Sequence, residues 1–353
     1  MEQTETKKKS IVGAVLKYVV PLVITVGLCY MLFSKVDFRE MVEIIKRDCD
    51  FWWIGLALFI SIFSHVFRAM RWRIQLEALN IPTPLAPLVY SIFGTYAVNL
   101  VFPRLGEVWR TGYIAQRQRA SFTTVFGSMV ADRLADTVTV ALLTLVTFLL
   151  ASGAFIDYVK TNPAAYEGLM ALATSPWLWL AVAVAIAAVW WLFAAKRENK
   201  LVKKVLATVK NLWDGFAVVA KMDGKGRWLF LTFMIWGCYF SQLYVAFFAF
   251  PFTAEVVAEH GALAVLVCFA LSSIAMGVPS NGGIGPWQYA IIFGLAIYMP
   301  AGADKELFTA NSTAFANLVL GAQTCLLIVL GLWTFVYIAL SKKRGSAGLK
   351  SAE

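Results

Sequence analysis

Charge is scarce in this sequence. Asp, Glu, Lys and Arg make up 15% of its 353 residues, where soluble domains run to about 25%. Hydrophobic residues reach 60% and gather in long uninterrupted runs. Together these exclude an ordinary soluble domain and leave a polytopic membrane protein. No Walker loop, HExxH or GxSxG signature occurs, so the ATPase, zinc-protease and serine-hydrolase readings lose their motifs. The five cysteines have no metal-type spacing, and Cys29, Cys238, Cys268 and Cys325 lie in apolar runs. They read as packing residues, and no metal or other cofactor is expected. The first apolar run follows Lys7-Lys8-Lys9. It is too long for a signal-peptide core and lacks a small-residue cleavage site, so it is expected to remain as a span. The net charge of +10 does not point to nucleic acid, because the basic residues cluster in a few loops. That is the pattern of positive-inside topology and of affinity for anionic lipid.

Two stretches stand out against the apolar background. NLVFPRLGEVWR, residues 99–110, holds two arginines, a glutamate, a glycine and a proline. GVPSNGGIGPWQ, residues 277–288, has the same style with almost no charge. Lipid would not tolerate either backbone unless it faced a protein interior or a water-filled cavity.

Loop charges orient the chain. Full spans are expected at 11–33, 52–71, 123–151, 177–195, 228–250 and 313–340, with shorter apolar runs at 87–102, 263–278 and 285–299. The N-terminus, the Lys342-Lys343-Arg344 tail and 196–227 are basic, while 152–176 has one Lys and 251–262 has none. The first group is assigned to the cytoplasm and the second outside. Segments 87–120 and 263–299 must then each begin and end on one side. Each is a re-entrant hairpin or a pair of short helices, with PRLG and PSNGGIG at the tips. The fold expected is an all-α polytopic membrane protein of six full spans plus two such hairpins, arranged as an inverted repeat. Its parts are a first repeat at 1–151, an external linker at 152–176, a second repeat at 177–341 and a basic cytoplasmic tail at 342–353. Segments 34–50 and 200–216 carry apolar residues at helical spacing and are expected to lie on the membrane surface.

The candidate site residues fall in four groups. Arg104 and Arg110 can bind phosphate in forked geometry, with Asn99 beside them. Glu107 can hold an arginine or carry a proton; the plain alternative is an internal salt bridge that stabilises the hairpin. His65, Arg68 and Arg71 follow at three-residue spacing. Arg73 reads as an interfacial anchor, Arg68 as either an anchor or a ligand contact, and His65 as a hydrogen-bonded packing residue. Asp132 and Asp136, with Arg133 between them, share a helix face. They can neutralise the hairpin arginines, or Asp136 can relay a proton. Ser280 and Asn281 are neutral polar groups, and Gly282, Gly283 and Gly285 allow close backbone approach. Pro286 would open a helix whose free N–H groups point at an anion. The plain alternative is an external turn. Asp48-Cys49-Asp50 matches a short acidic metal-binding triplet that is common by chance, and it is set aside.

At these positions the chain resembles the lysylphosphatidylglycerol synthase transmembrane-region family, also called flippase-like or AglD-like membrane proteins. The resemblance rests on RAMRW at 68–72, N-x-x-x-P-R-x-G-E-x-x-R at 99–110, DRLAD at 132–136 and P-x-x-G-G-x-G at 279–285. The family often has a glutamate where this chain has Gln288. In bifunctional relatives a soluble domain makes a lysyl lipid and the membrane domain flips it. The resemblance therefore implies the flippase half only. The function expected is a lipid transporter, not an enzyme, in the bacterial cytoplasmic membrane with both termini inside. Its partner would be a phospholipid or a polyprenyl-phosphate-type lipid. The alternatives are a membrane transferase using a lipid-linked donor, with Glu107, Asp132 or Asp136 as base, and a non-catalytic envelope scaffold.

Overall fold

The computed structural model describes residues 38–102, 104–177, 222–278, 280–300 and 302–350, with scattered positions between 179 and 190. The expected spans 11–33 and most of 177–195, and the surface segment 200–216, lie outside the described residues. All regular structure among the described residues is helical.

The first described helix, α1 (Phe38–Asp48), falls in the segment expected to lie on the membrane surface. Its apolar face turns onto the protein instead. Ile44 is buried, and Met41 and Ile45 pack on the same core. The acidic triplet after it has local structural partners. Asp48 pairs with Arg47 at 2.8 Å, and Asp50 accepts from the Trp52 N–H at 3.0 Å. Asp50 thereby caps α2 (Phe51–Glu77).

In the turn after α2, Asn80 takes the left-handed conformation at φ 57°, which asparagine tolerates. α3 (Leu85–Val101) and α4 (Leu105–Arg117) form the first hairpin as two short helices. The break between them follows from Pro103, which cannot supply the N–H that α3 would need to continue. Phe102, just before that proline, is extended, as pre-proline sterics require. α5 (Phe122–Leu150) is 29 residues long, enough for more than the ~30 Å hydrocarbon core.

The expected external linker 152–176 contains two short helices, α6 (Ser152–Thr161) and α7 (Pro163–Ala173). Beyond the second undescribed stretch, α8 (Lys225–Ala246) runs on through one 3-10 turn to Ala249. Residues 251–262, expected as a loop, are mostly helix α9 (Pro251–His260). α9 meets α10 (Ala262–Ala275) at a bend of 112°, and Gly261 at φ 65° supplies the turn. α11 (Pro286–Ala296) completes the second hairpin, and α12 (Lys305–Lys350) closes the described chain.

Among the described residues four helices are long and apolar enough to cross a bilayer: Phe51–Glu77, Phe122–Leu150, Lys225–Ala249 and Lys305–Ser341. A fifth span is possible if the bent α9–α10 pair counts as one. Their outward faces are apolar, with Leu145, Phe148, Phe233, Val329, Leu332 and Trp333 exposed. That is the expected surface for helices solvated by lipid tails.

Packing partners recur in the same order in both halves. α2 packs on α8. Hairpin α3–α4 sits beside α5 and against α12, and hairpin α10–α11 sits beside α12 and against α5. Each hairpin closes over a glycine. At Gly106 a β-carbon would collide with the Thr95 carbonyl, and at Gly294 with Cys268. The hairpin tips also meet, because Gly282 lies against Leu100.

Candidate functional site

Arg68 and Arg71 are one turn apart on α2, and Asp132 and Asp136 are one turn apart on α5. That matched spacing lets two guanidiniums face two carboxylates. Arg71 donates from Nε to Asp132 Oδ1 at 2.9 Å and from Nη2 to Asp136 Oδ1 at 2.8 Å. Arg68 donates from Nη1 to Asp136 Oδ2 at 2.6 Å and to Asp132 Oδ2 at 3.4 Å. Helix α8 completes the set, with Thr232 Oγ1 accepting from Arg71 and the Tyr239 hydroxyl accepting from Arg68. Arg71 and Asp132 are fully buried, and Arg68 is 3% exposed.

The first hairpin adds a second layer. Asn99 on α3 accepts from the Gly106 N–H at 2.8 Å and donates to Glu107 Oε2 at 3.1 Å. Glu107 Oε1 accepts from Arg133 Nη2 at 3.0 Å. Arg133 also lies 3.8 Å from Asp136, so the two layers join. Arg133 and Glu107 keep some side-chain exposure, 33% and 15%; the network reaches the surface there.

Arg110 differs from its neighbours. It is fully buried, its guanidinium carbon sits 4.5 Å over the Trp72 ring, and Asp132 lies 3.8 Å away. Among the described residues none of its three nitrogens makes a hydrogen bond. The network thus holds four guanidiniums (Arg68, Arg71, Arg110, Arg133) against three carboxylates (Glu107, Asp132, Asp136). All six carboxylate oxygens have a hydrogen-bond donor or ion-pair partner within it.

The remaining candidates lie elsewhere. Arg104 is outside the network: it is exposed at the hairpin tip and donates from Nη2 to the Gly277 carbonyl at 3.3 Å. Arg73 is exposed and pairs with Glu77 at 2.7 Å, as an anchor would. His65 is packed against Phe93 and Tyr96. Contrary to expectation, neither of its ring nitrogens has a hydrogen-bond partner among the described residues.

In the second hairpin, Gly282, Gly283 and Gly285 all take positive φ, which requires glycine for an unstrained turn. Ser280 Oγ reaches the Val278 carbonyl at 3.5 Å, and Asn281 accepts from the Ile284 N–H through its carbonyl. At the N-terminus of α11, N–H groups expected to be free are already engaged. Gln288 Oε1 takes the Gly285 N–H at 2.7 Å, and the N–H groups of Trp287 and Tyr289 bond to Gly283 and Gly285. Gln288 also donates to Asn317 on α12 at 2.6 Å. Gln288→Leu should therefore leave a buried N–H and the Asn317 carbonyl oxygen without partners. We expect a loss of about 1–3 kcal/mol, read as a lower thermal-unfolding midpoint in detergent.

Sequence reasoning did not place Arg71, Thr232, Tyr239 or Gln288 among the contacts. Arg71 had a usable signal, since it lies about one helical turn from Arg68, as Asp136 does from Asp132. Thr232 and Tyr239 had none, because they enter only through the α2–α8 packing.

These features define a polytopic helical membrane protein with a buried ionic network between its long helices and a broken-helix hairpin. More particularly, the chain belongs to the lysylphosphatidylglycerol synthase TM region family, whose model matches residues 18–331. It is similar to UPF0104 membrane protein PH1989 of Pyrococcus horikoshii, with 22% identity over 303 residues, covering 81% of this chain and 88% of that protein. No solved structure matches the chain.

Proposed function

We propose that this protein moves a phosphate-bearing lipid between the leaflets of the bacterial cytoplasmic membrane. The observation that carries the reading is Arg110. A buried guanidinium without hydrogen bonds is costly, and here it belongs to a network with one more cation than anion. An anionic head group would supply both the missing charge and the missing acceptors. A phospholipid or polyprenyl-phosphate-type lipid fits that chemistry, with its tails left in the bilayer. Transport would be downhill or ion-coupled.

The proposed topology has both termini in the cytoplasm, six full spans and an inverted repeat with the hairpins entering from opposite faces. The recurrent packing order and the contact between hairpin tips support it. The transferase reading is less favoured, because a general base needs a free carboxylate oxygen. Those of Glu107, Asp132 and Asp136 are already engaged by arginine or amide groups. The same engagement favours a structural over a proton-carrying role for Glu107 and Asp136.

Arg110→Met tests the reading by separating stability from transport. Removing the under-bonded charge should leave the unfolding midpoint unchanged or raise it. Flipping of fluorescent phosphatidylglycerol or polyprenyl phosphate in reconstituted vesicles should fall about ten- to hundredfold, the equivalent of one charge-assisted hydrogen bond. Undiminished flipping of both lipids by Arg110→Met would sink the assignment.

A further inference from the structure

Away from the ionic network, the outer side of the second hairpin carries a groove of about 420 Å³. Leu271, Ile274, Val278, Pro286, Tyr289 and Phe293 line most of it. Ile274, Val278, Tyr289 and Phe293 remain exposed. An apolar groove on a membrane protein would be unremarked lipid contact but for what stands at its end. Gly277 lies in the chain between the groove residues Ala275 and Val278, and its carbonyl holds the guanidinium of Arg104.

Arg104 is unusual in two independent ways. Its backbone sits at φ 64°, ψ 0°, a left-handed conformation that costs a non-glycine residue roughly 1–2 kcal/mol. Glycine would avoid that cost, so the arginine side chain is kept at the expense of strain. Its hydrogen bond is also weak. At 3.3 Å, to a neutral carbonyl, it lies beyond the usual 2.7–3.2 Å for such bonds. Among the described residues Arg104 has no carboxylate partner, so an anion meets no competitor but that carbonyl. A phosphate oxygen makes a shorter bond of roughly twice the strength.

We infer that this groove and Arg104 form one lipid site: a hydrocarbon chain of the phosphate-bearing lipid lies along α10 and α11, and its phosphate takes Arg104 from Gly277. The site rests on the transport reading and adds where the lipid first seats. It also makes the tip contact exchangeable. Arg104 holds the two hairpins together when the site is empty and releases Gly277 when a phosphate arrives.

The test uses the full chain in nanodiscs containing phosphatidylglycerol with a photoactivatable diazirine midway along one acyl chain. Label is located by peptide mass spectrometry. Label should concentrate on 271–278 and 286–293, and Arg104→Gly should lower it about tenfold. That variant relieves the strained φ, so its unfolding midpoint should hold or rise, which separates lost binding from lost folding. Diacylglycerol with the same chain and no phosphate should label wild type only at the Arg104→Gly level. Equal labelling by both probes, or labelling indifferent to Arg104→Gly, overturns the site and leaves ordinary bilayer contact. Cross-linking of the groove to a second copy of the chain also overturns it. Labelling reads binding and not movement. Arg104-dependent label without flipping keeps the site and removes transport; flipping with uniform label does the reverse.

Discussion

Asp132→Ala is expected to destabilise the protein by about 3–5 kcal/mol, the usual cost of removing one partner from a buried ion pair. Asp132 is fully buried and accepts from Arg71 at 2.9 Å and from Arg68 at 3.4 Å, with Arg110 at 3.8 Å. Its loss would leave Arg68, Arg71, Arg110 and Arg133 facing only Asp136 and Glu107. Asp136 would still hold both α2 arginines through its two oxygens, which is why the loss should stop short of complete unfolding. Asp132→Asn keeps the shape and one acceptor but not the charge, so it should fall between wild type and Asp132→Ala. Thermal unfolding in detergent, followed by tryptophan fluorescence, ranks the three. An Asp132→Ala midpoint equal to wild type would mean that α2 and α5 are not joined through this carboxylate.

Gly106→Leu is the second large effect. α3 and α4 cross at Gly106, where a β-carbon would press into the Thr95 carbonyl and approach Asn99 Oδ1 at 2.8 Å. The obstacle is backbone, so it cannot turn aside as a side chain would. Overpacking of a close contact costs about 1–3 kcal/mol and occasionally more, and this site belongs at the upper end. The same displacement would break the Gly106 N–H bond to Asn99 and release Glu107 from its amide. Gly112, on the same helix, is the control, because nothing lies within 4 Å of a β-carbon there. Gly112→Ala should stabilise α4 by about 0.5–1 kcal/mol through helix propensity. Equal midpoints for Gly106→Leu and Gly112→Ala would rule out a tight hairpin crossing.

The two anomalous stretches were legible because lipid punishes broken backbone and isolated charge more heavily than water does. Proline, glycine and arginine inside an apolar run therefore mark hairpin tips without any structure. The long helices at 51–77, 122–150 and 225–249 were legible for the same reason, since each must satisfy its own backbone groups. Residues 251–260 were misread as a loop. Pro251 and two glutamates interrupt the segment's apolar residues, so it does not read as a span, yet it forms a helix turned by 112° at Gly261. Segment 38–48 was correctly amphipathic, but periodicity cannot say whether an apolar face meets lipid or protein. Here Ile44 meets protein.

NLVFPRLGEVWR by itself declared a charged, broken hairpin, and it grouped Arg104 with Arg110 as one phosphate clamp beside Asn99. Tertiary structure alone decided how its charges divide. Arg110 turns inward onto Trp72 and Asp132 of α5, while Arg104 turns outward to the other hairpin. It likewise decided that Arg71 is a buried network member and not an interfacial anchor. The physical reason is that local sequence fixes where a helix breaks and which residues share a face. Whether a given guanidinium finds a carboxylate, a ring or a carbonyl depends on other helices, distant in the chain and brought together only by packing.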